Sequence, residues 1–354
     1  MRRFAYGFLL LLLFQSCTYF KNVKLLPGGR IERQGYVQTL PFIWRKDLIV
    51  VPLRLHGDTI QREFLFDTGA FNSKVEGSLA ESLGLNVVTE KTNSTAQGLQ
   101  QKIEVLRVDS LLLGNTWAYQ IGAGKLNFGP TSATPCIAAD GIIGANLIKL
   151  AHWKIDFEQQ LLHFSDRPFE ASDSDFSLPF RKPLLSGTPS IELTVNGKKI
   201  KDVLLDLGYN GGLVLPLSAA RKVESAETQV ILDRSVSGIY GTNTDSLLVK
   251  TAQVNVGGYE TEMPVEFSAL DKALLGNEFL KHFTVFIDYD NKKIHLEKQR
   301  EVQVQPPRPF LVGIENDSLW VVTRTTPELP LRLGDRLLLV NGKQPKELFS
   351  SHCD

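Results

Sequence analysis

The stretch that decides the fold runs from Phe64 to Ala70 and reads "FLFDTGA". Three apolar residues lead into an acid, a hydroxyl and a glycine. A second stretch, "VLLDLGY" from Val203 to Tyr209, repeats the plan with Leu207 where the first has Thr68. A strand that ends on Asp-x-Gly makes a tight turn, because glycine lets the backbone bend and approach a neighbour closely. Two such turns in one chain raise the question of whether their surroundings repeat as well.

They do. Residues 48–69, "LIVVPLRLHGDTIQREFLFDTG", and residues 190–208, "SIELTVNGKKIKDVLLDLG", share one order: alternating strand, tight turn, second strand, Asp-x-Gly. The turns are Gly57-Asp58 and Asn196-Gly197, and Asn-Gly between alternating strands signals a hairpin. Downstream, "DGIIGANLIKLAHWKIDFEQQLLHF" (140–164) aligns without a gap on "KALLGNEFLKHFTVFIDYDNKKIHL" (272–296). Gly144 and Gly276, Lys149 and Lys281, Asp156 and Asp288, and His163 and His295 all pair at an offset of 132. Internal duplication follows. Short runs such as "IEVLRVDSLLLGN" and "LLVKTAQVNVGGYETEMPVEF", punctuated by Gly and Asn, predict all-β lobes. Brief helical stretches are expected after each turn, at "GSLAESLGL" and "PLSAARKV". Asp156, Asp288, His163 and His295 read as structural groups in strand contexts.

The chain has 354 residues, enough for two or three domains, and is 43% hydrophobic and 22% charged, as globular proteins are. Lys+Arg and Asp+Glu balance at 39 each, which leaves no basic field to hold nucleic acid. The six His form no metal-binding spacing and the Cys show no CxxC pair, so no metal site is expected. The N-terminus departs from this average. Arg2 and Arg3 precede the apolar run "FAYGFLLLLLF" (4–14) and then Ser16-Cys17, the order of a secretory signal. The run is too short for a permanent span. Cys136 and Cys353 then remain, as a disulfide or as two thiols.

The Asp-Thr-Gly-Ala of 67–70, the Asp-Leu-Gly of 206–208 and the late apolar-apolar-glycines Ile142-Ile143-Gly144 and Leu274-Leu275-Gly276 together resemble the retropepsin-like aspartic proteases, over most of residues 43–298. The resemblance implies a mostly β fold of two small acid-protease barrels facing each other in one chain. It implies catalysis by Asp67 and Asp206, which activate one water between them, with no cofactor. Two carboxylates about 3 Å apart cannot both ionise, so one is the base and the other the acid. Thr68, Gly69, Ala70 and Gly208 would shape the floor. In the family each threonine bonds across to the other turn. Leu207 cannot, so backbone groups or water must replace it. Flap hairpins that close on an extended peptide or protein substrate are expected at 94–102, with Gln97 and Gly98, and at 235–243, with Gly238 and Tyr240. The alternative reading is a peptide-binding lipoprotein that no longer cuts. A monomer suffices, with a homodimer joining two Asp67 sites as the other arrangement.

Ser16-Cys17 resembles the lipobox of bacterial lipoproteins. That implies a lipid anchor on Cys17 and a place in the cell envelope, on a membrane face outside the cytoplasm. Near the other end, "LRLGDRLLLVNGK" (331–343) resembles the strand pair of a PDZ domain, about half of which is present. The expected divisions are a signal at 1–17, a tether at 18–42, the first lobe at 43–168, a linker at 169–186, the second lobe at 187–298, a linker at 299–309 and a partial PDZ-like region at 310–354.

Overall fold

Local backbone chemistry sets the hairpins. Strand Ser190–Val195 returns as Lys198–Leu205 through Asn196 and Gly197, whose φ angles of 47° and 72° are the left-handed pair that a tight two-residue hairpin needs. In the first copy, strand Leu48–Leu55 reaches Arg62–Phe66 by a longer turn through Gly57, at φ 81°. The computed structural model describes residues 25–26, 28–32, 35–95, 98–129, 131–171, 176–183, 186–225, 227–234, 237–242, 244–315, 319–349 and 353. The signal segment and Cys17 lie outside them. The chain is mostly β.

Each copy closes into a barrel of six strands. Around the first run Leu48–Leu55, Arg62–Phe66, Gly141–Ile143, Ser73–Glu76, Thr116–Leu126 and Gln100–Leu113, which pairs back on Leu48–Leu55. The second runs Ser190–Val195, Lys198–Leu205, Ala273–Leu275, Leu213–Pro216, Tyr259–Ser268 and Asp245–Val256, closing on Ser190–Val195. Alternation drives closure: Asp245–Val256 buries every second residue from Leu247 on, with one interruption, and closure leaves no open edge. The helical stretches are short, an α-helix at Gly77–Ser82 and a 3-10 helix at Leu217–Lys222.

A third sheet joins the barrels. Its order is Phe176–Pro179, Lys293–Lys298, Phe283–Asp288, His152–Asp156, Leu161–Ser165, Val37–Pro41. At its centre Trp153 faces Ile287 and Ile155 faces Val285, antiparallel. Each residue faces the duplicate of the other, so the sheet carries an approximate two-fold axis. Its outer strands come from segments read as a tether and a linker. Both end on Leu-Pro-Phe, at 40–42 and 178–180, and proline suits an edge strand that needs no further donor. Trp153 is fully buried at the join. Its ring meets Phe66 at 4.8 Å and stacks on Phe164 at 5.2 Å, and its Nε1 donates to the Ile148 carbonyl at 2.6 Å.

The C-terminal region extends the second barrel. Strand Leu319–Thr325 lies beside Leu311–Glu315 and pairs with Gln229–Asp233, which itself lies on Asp245–Val256. Arg324 Nε donates to buried Asp233 at 3.0 Å. The far end of the tail returns to the first barrel through a Cys136–Cys353 disulfide. Replacing Trp153 by Ala should cost about 3–5 kcal/mol of stability through the cavity left. A lower urea midpoint at unchanged slope would register it.

Candidate active site

The two Asp-x-Gly turns emerge from equivalent three-strand arrangements. Gly141–Ile143 lies parallel to Arg62–Phe66 and antiparallel to Ser73–Glu76, so it runs between the strands before and after the first turn. Ala273–Leu275 does the same between Lys198–Leu205 and Leu213–Pro216. The Asp67 N–H donates to the Ile143 carbonyl at 3.0 Å, and the Asp206 N–H to the Leu275 carbonyl at 2.9 Å. The late glycines are needed at the crossing. A Cβ on Gly144 would lie 2.3 Å from the Asn72 carbonyl carbon, and one on Gly276 2.5 Å from the Gly211 oxygen.

At the barrel interface the turns interlock. A Cβ on Gly69 would lie 2.3 Å from Asp206 Oδ2, and a Cβ on Gly208 would lie 2.2 Å from Asp67 Cγ. Each carboxylate fills the space left by the other turn's missing side chain. Each carboxyl acts on the protonation of the other. Asp67 Oδ1 accepts from Ala70 N–H at 2.7 Å and Asp206 Oδ1 from Gly208 N–H at 2.9 Å.

One threonine serves both turns. The Thr68 hydroxyl, fully buried, donates to the Leu205 carbonyl at 2.6 Å and accepts from the Leu207 N–H at 2.9 Å. Leu207 makes no return bond with its side chain, which is fully buried in the main core. Its carbonyl is instead held by Asn277 Nδ2 at 3.0 Å, and the same amide nitrogen donates to the Asp47 carbonyl of the first barrel at 2.9 Å.

Burial pushes both carboxyls above the usual range. Asp206 rises well above it, from desolvation first and the negative charge of Asp67 second. Asp67 rises from desolvation, opposed by the positive charge of Lys74. The pair therefore keeps one proton between its two carboxyls. Lys74, Lys91, Asn277 and Glu266 are site groups that the sequence reading did not single out. Glu266 stands at about 7, raised by burial and opposed by Arg324. The available signal was a lysine on the short strand just after Asp-Thr-Gly-Ala, next to an apolar Val75.

Of the expected flap residues, Gln97 lies outside the described residues. Gly98 sits at φ 76° at the tip of the hairpin joining Asn86–Ser94 to Gln100–Leu113, exposed. Gly238 and Tyr240 belong to a small hairpin, Ser237–Gly238 with Gly241–Thr242, and this one lies across the interface. The Ile239 carbonyl accepts from Gly129 N–H at 3.0 Å, and Thr242 N–H donates to Thr131 Oγ1 at 3.0 Å. Tyr240 Oη accepts from Asn93 Nδ2 at 2.8 Å. Ile239 and Tyr240 pack with Ala70 against an apolar cluster that includes Leu65 and Ile142. The second barrel's hairpin thus roofs the first barrel's side of the dyad.

Residues 51–147 match the family model described as aspartyl protease, a span that carries Asp67 and Gly144. No curated protein matches the chain.

Thr68→Val keeps the shape but strands a buried N–H and a buried carbonyl. It should cost about 1–3 kcal/mol in a denaturant titration. Leu207→Thr, at an already satisfied turn, should recover little of that loss in the double variant.

Proposed function

We propose that the chain is an aspartic endopeptidase in which Asp67 and Asp206 share one water. The observation that carries this reading is the interlock, with each carboxylate seated over the other turn's glycine. In this reading Asp67 is the charged member and takes a proton from the water as the water oxygen attacks the peptide carbonyl carbon. Asp206 gives its proton to the carbonyl oxygen, so no oxyanion has to be stabilised alone. The tetrahedral diol then collapses. The proton on Asp67 passes to the amide nitrogen as the C–N bond breaks, and a diol hydroxyl returns one to Asp206. Atoms and protons balance, and the dyad ends as it began.

Gly69 and Gly208 set the approach of the acids, while Thr68 and Asn277 hold the backbones. The hairpin with Gly238 and Tyr240 gives an extended substrate a backbone to pair with and excludes water from the reacting carbonyl. The N-terminal signal and Cys17 support a lipid-anchored envelope location. The Cys136–Cys353 disulfide suits the oxidising compartment that such a location provides.

Asp67→Asn and Asp206→Asn should each lower cleavage of an unstructured protein by about 10²–10⁴-fold. Equal cleavage by wild type and Asp67→Asn would leave no role for the dyad, and full activity of Asp206→Asn would point to pairing of two Asp67 turns instead. The rate should form a bell with pH. It falls on the acid side as the dyad takes a second proton and on the alkaline side as it loses its last. Because burial raises both, the two limbs lie above the usual carboxylate range. Cys17→Ala should move the protein from the detergent to the aqueous phase on partitioning.

A further inference from the structure

The two barrels share one strand plan but differ in charge where they flank the dyad. In the first, Lys74 sits opposite Ile142 and beside Gly124. In the second, the position opposite Leu274 and beside Glu266 is Val214. The register also matches Lys91, opposite Ile103, to Ile231, opposite Leu247. Where the second barrel has two buried aliphatic side chains, the first has two lysines.

Both lysines face the roofed side of the cleft. Ile142 packs with Ala70, Ile239 and Tyr240, and directly opposed residues of an antiparallel pair share a face. Val75, one residue on, points into the main core. Lys91 shares its face with Asn93, two positions along, whose amide holds Tyr240. Lys74 is only 6% exposed, and its Nζ donates to the Asn72 carbonyl at 3.2 Å. Lys91 Nζ donates to Asn72 Oδ1 at 2.5 Å and lies 5.7 Å from the centre of the Phe71 ring.

Burial lowers Lys74 as well as Lys91, so an anion between them is what would hold both in the charged form. Among the described residues, the carboxylate whose charge acts on Lys74 is Asp67, already committed to Asp206. Lys91 feels the repulsion of Lys74, and burial with that repulsion brings it down to about 8. Neutral carbonyl acceptors do not balance two desolvated cations.

We infer that Lys74 and Lys91 form a subsite for a carboxylate side chain of the substrate, Asp or Glu, beside the scissile bond on the first-barrel side. The inference rests on the peptidase reading above. An acidic side chain under Tyr240 supplies the counter-charge, and the roof keeps water from screening it. The equivalent positions of the second barrel, Val214 and Ile231, are buried aliphatic side chains and supply no cation.

The test uses the full-length protein and peptide pairs that differ only in Glu against Gln, scanned over the positions flanking a cleaved bond. Wild type should favour Glu at one position by about tenfold or more in kcat/KM. Lys74→Met and Lys91→Met keep the length of the side chain without its charge, and each should shrink that ratio toward one. If the lysines merely tune Asp67, the variants slow both peptides alike and the ratio persists, which overturns the subsite. A wild-type ratio of one at every position overturns it too. If no peptide is cleaved, the peptidase reading fails by itself. Fluorescence anisotropy of labelled Glu and Gln peptides then still decides: tighter Glu binding that is lost in Lys91→Met sustains the pocket, and equal binding removes it.

Discussion

The structure depends on one steric constraint. Two turns approach so closely that each must lack a side chain where the other's carboxylate sits. Gly69 and Gly208 are therefore determined by the partner turn more than by their own backbones; neither has a left-handed φ. Once the carboxyls occupy those spaces, desolvation and mutual repulsion follow, and one proton must be retained. Geometry comes first here and acidity is its consequence.

The single threonine shows how a duplicated centre tolerates the loss of symmetry. Thr68 uses donor and acceptor capacity on one turn of the second barrel, bonding Leu205 and Leu207. Asn277, on the helix after the late glycine, takes the Leu207 carbonyl and a carbonyl of the opposite barrel. The bonding is divided differently between the halves, while both turns keep backbone anchors of nearly equal length. Leu207 adds apolar burial where a second hydroxyl would have made a hydrogen bond. The lysines carry asymmetry into the cleft, since one strand plan presents Lys74 and Lys91 in one half and Val214 and Ile231 in the other.

Much of this was legible in the sequence because the signals were local. Asn196-Gly197 fixes a hairpin through its own backbone preferences, and Asp-x-Gly with a later apolar-apolar-glycine marks strands that must cross. The duplication could be read from the constant offset between Gly144 and Gly276. The edge strands were harder to see. Residues 37–41 and 176–179 lie in polar, proline-containing surroundings that resemble linkers, and only the repeated Leu-Pro-Phe announces them. The roles of Lys74, Asn277 and Glu266 depend on which distant strand lies opposite, and no local pattern encodes that. Cys136 and Cys353 likewise left two outcomes open until the tail's course brought them together.

The disulfide changes how the barrels can move. Besides the chain itself, Cys136–Cys353 joins the first barrel to the tail that follows the second, closing a covalent ring over a separation of 217 residues. In such a ring the halves cannot drift apart when their contacts loosen. A tether of that kind keeps the two acids at high effective concentration even when the contacts between the barrels loosen. A centre that exists only where two surfaces meet thereby gains the concentration independence of a single folded unit.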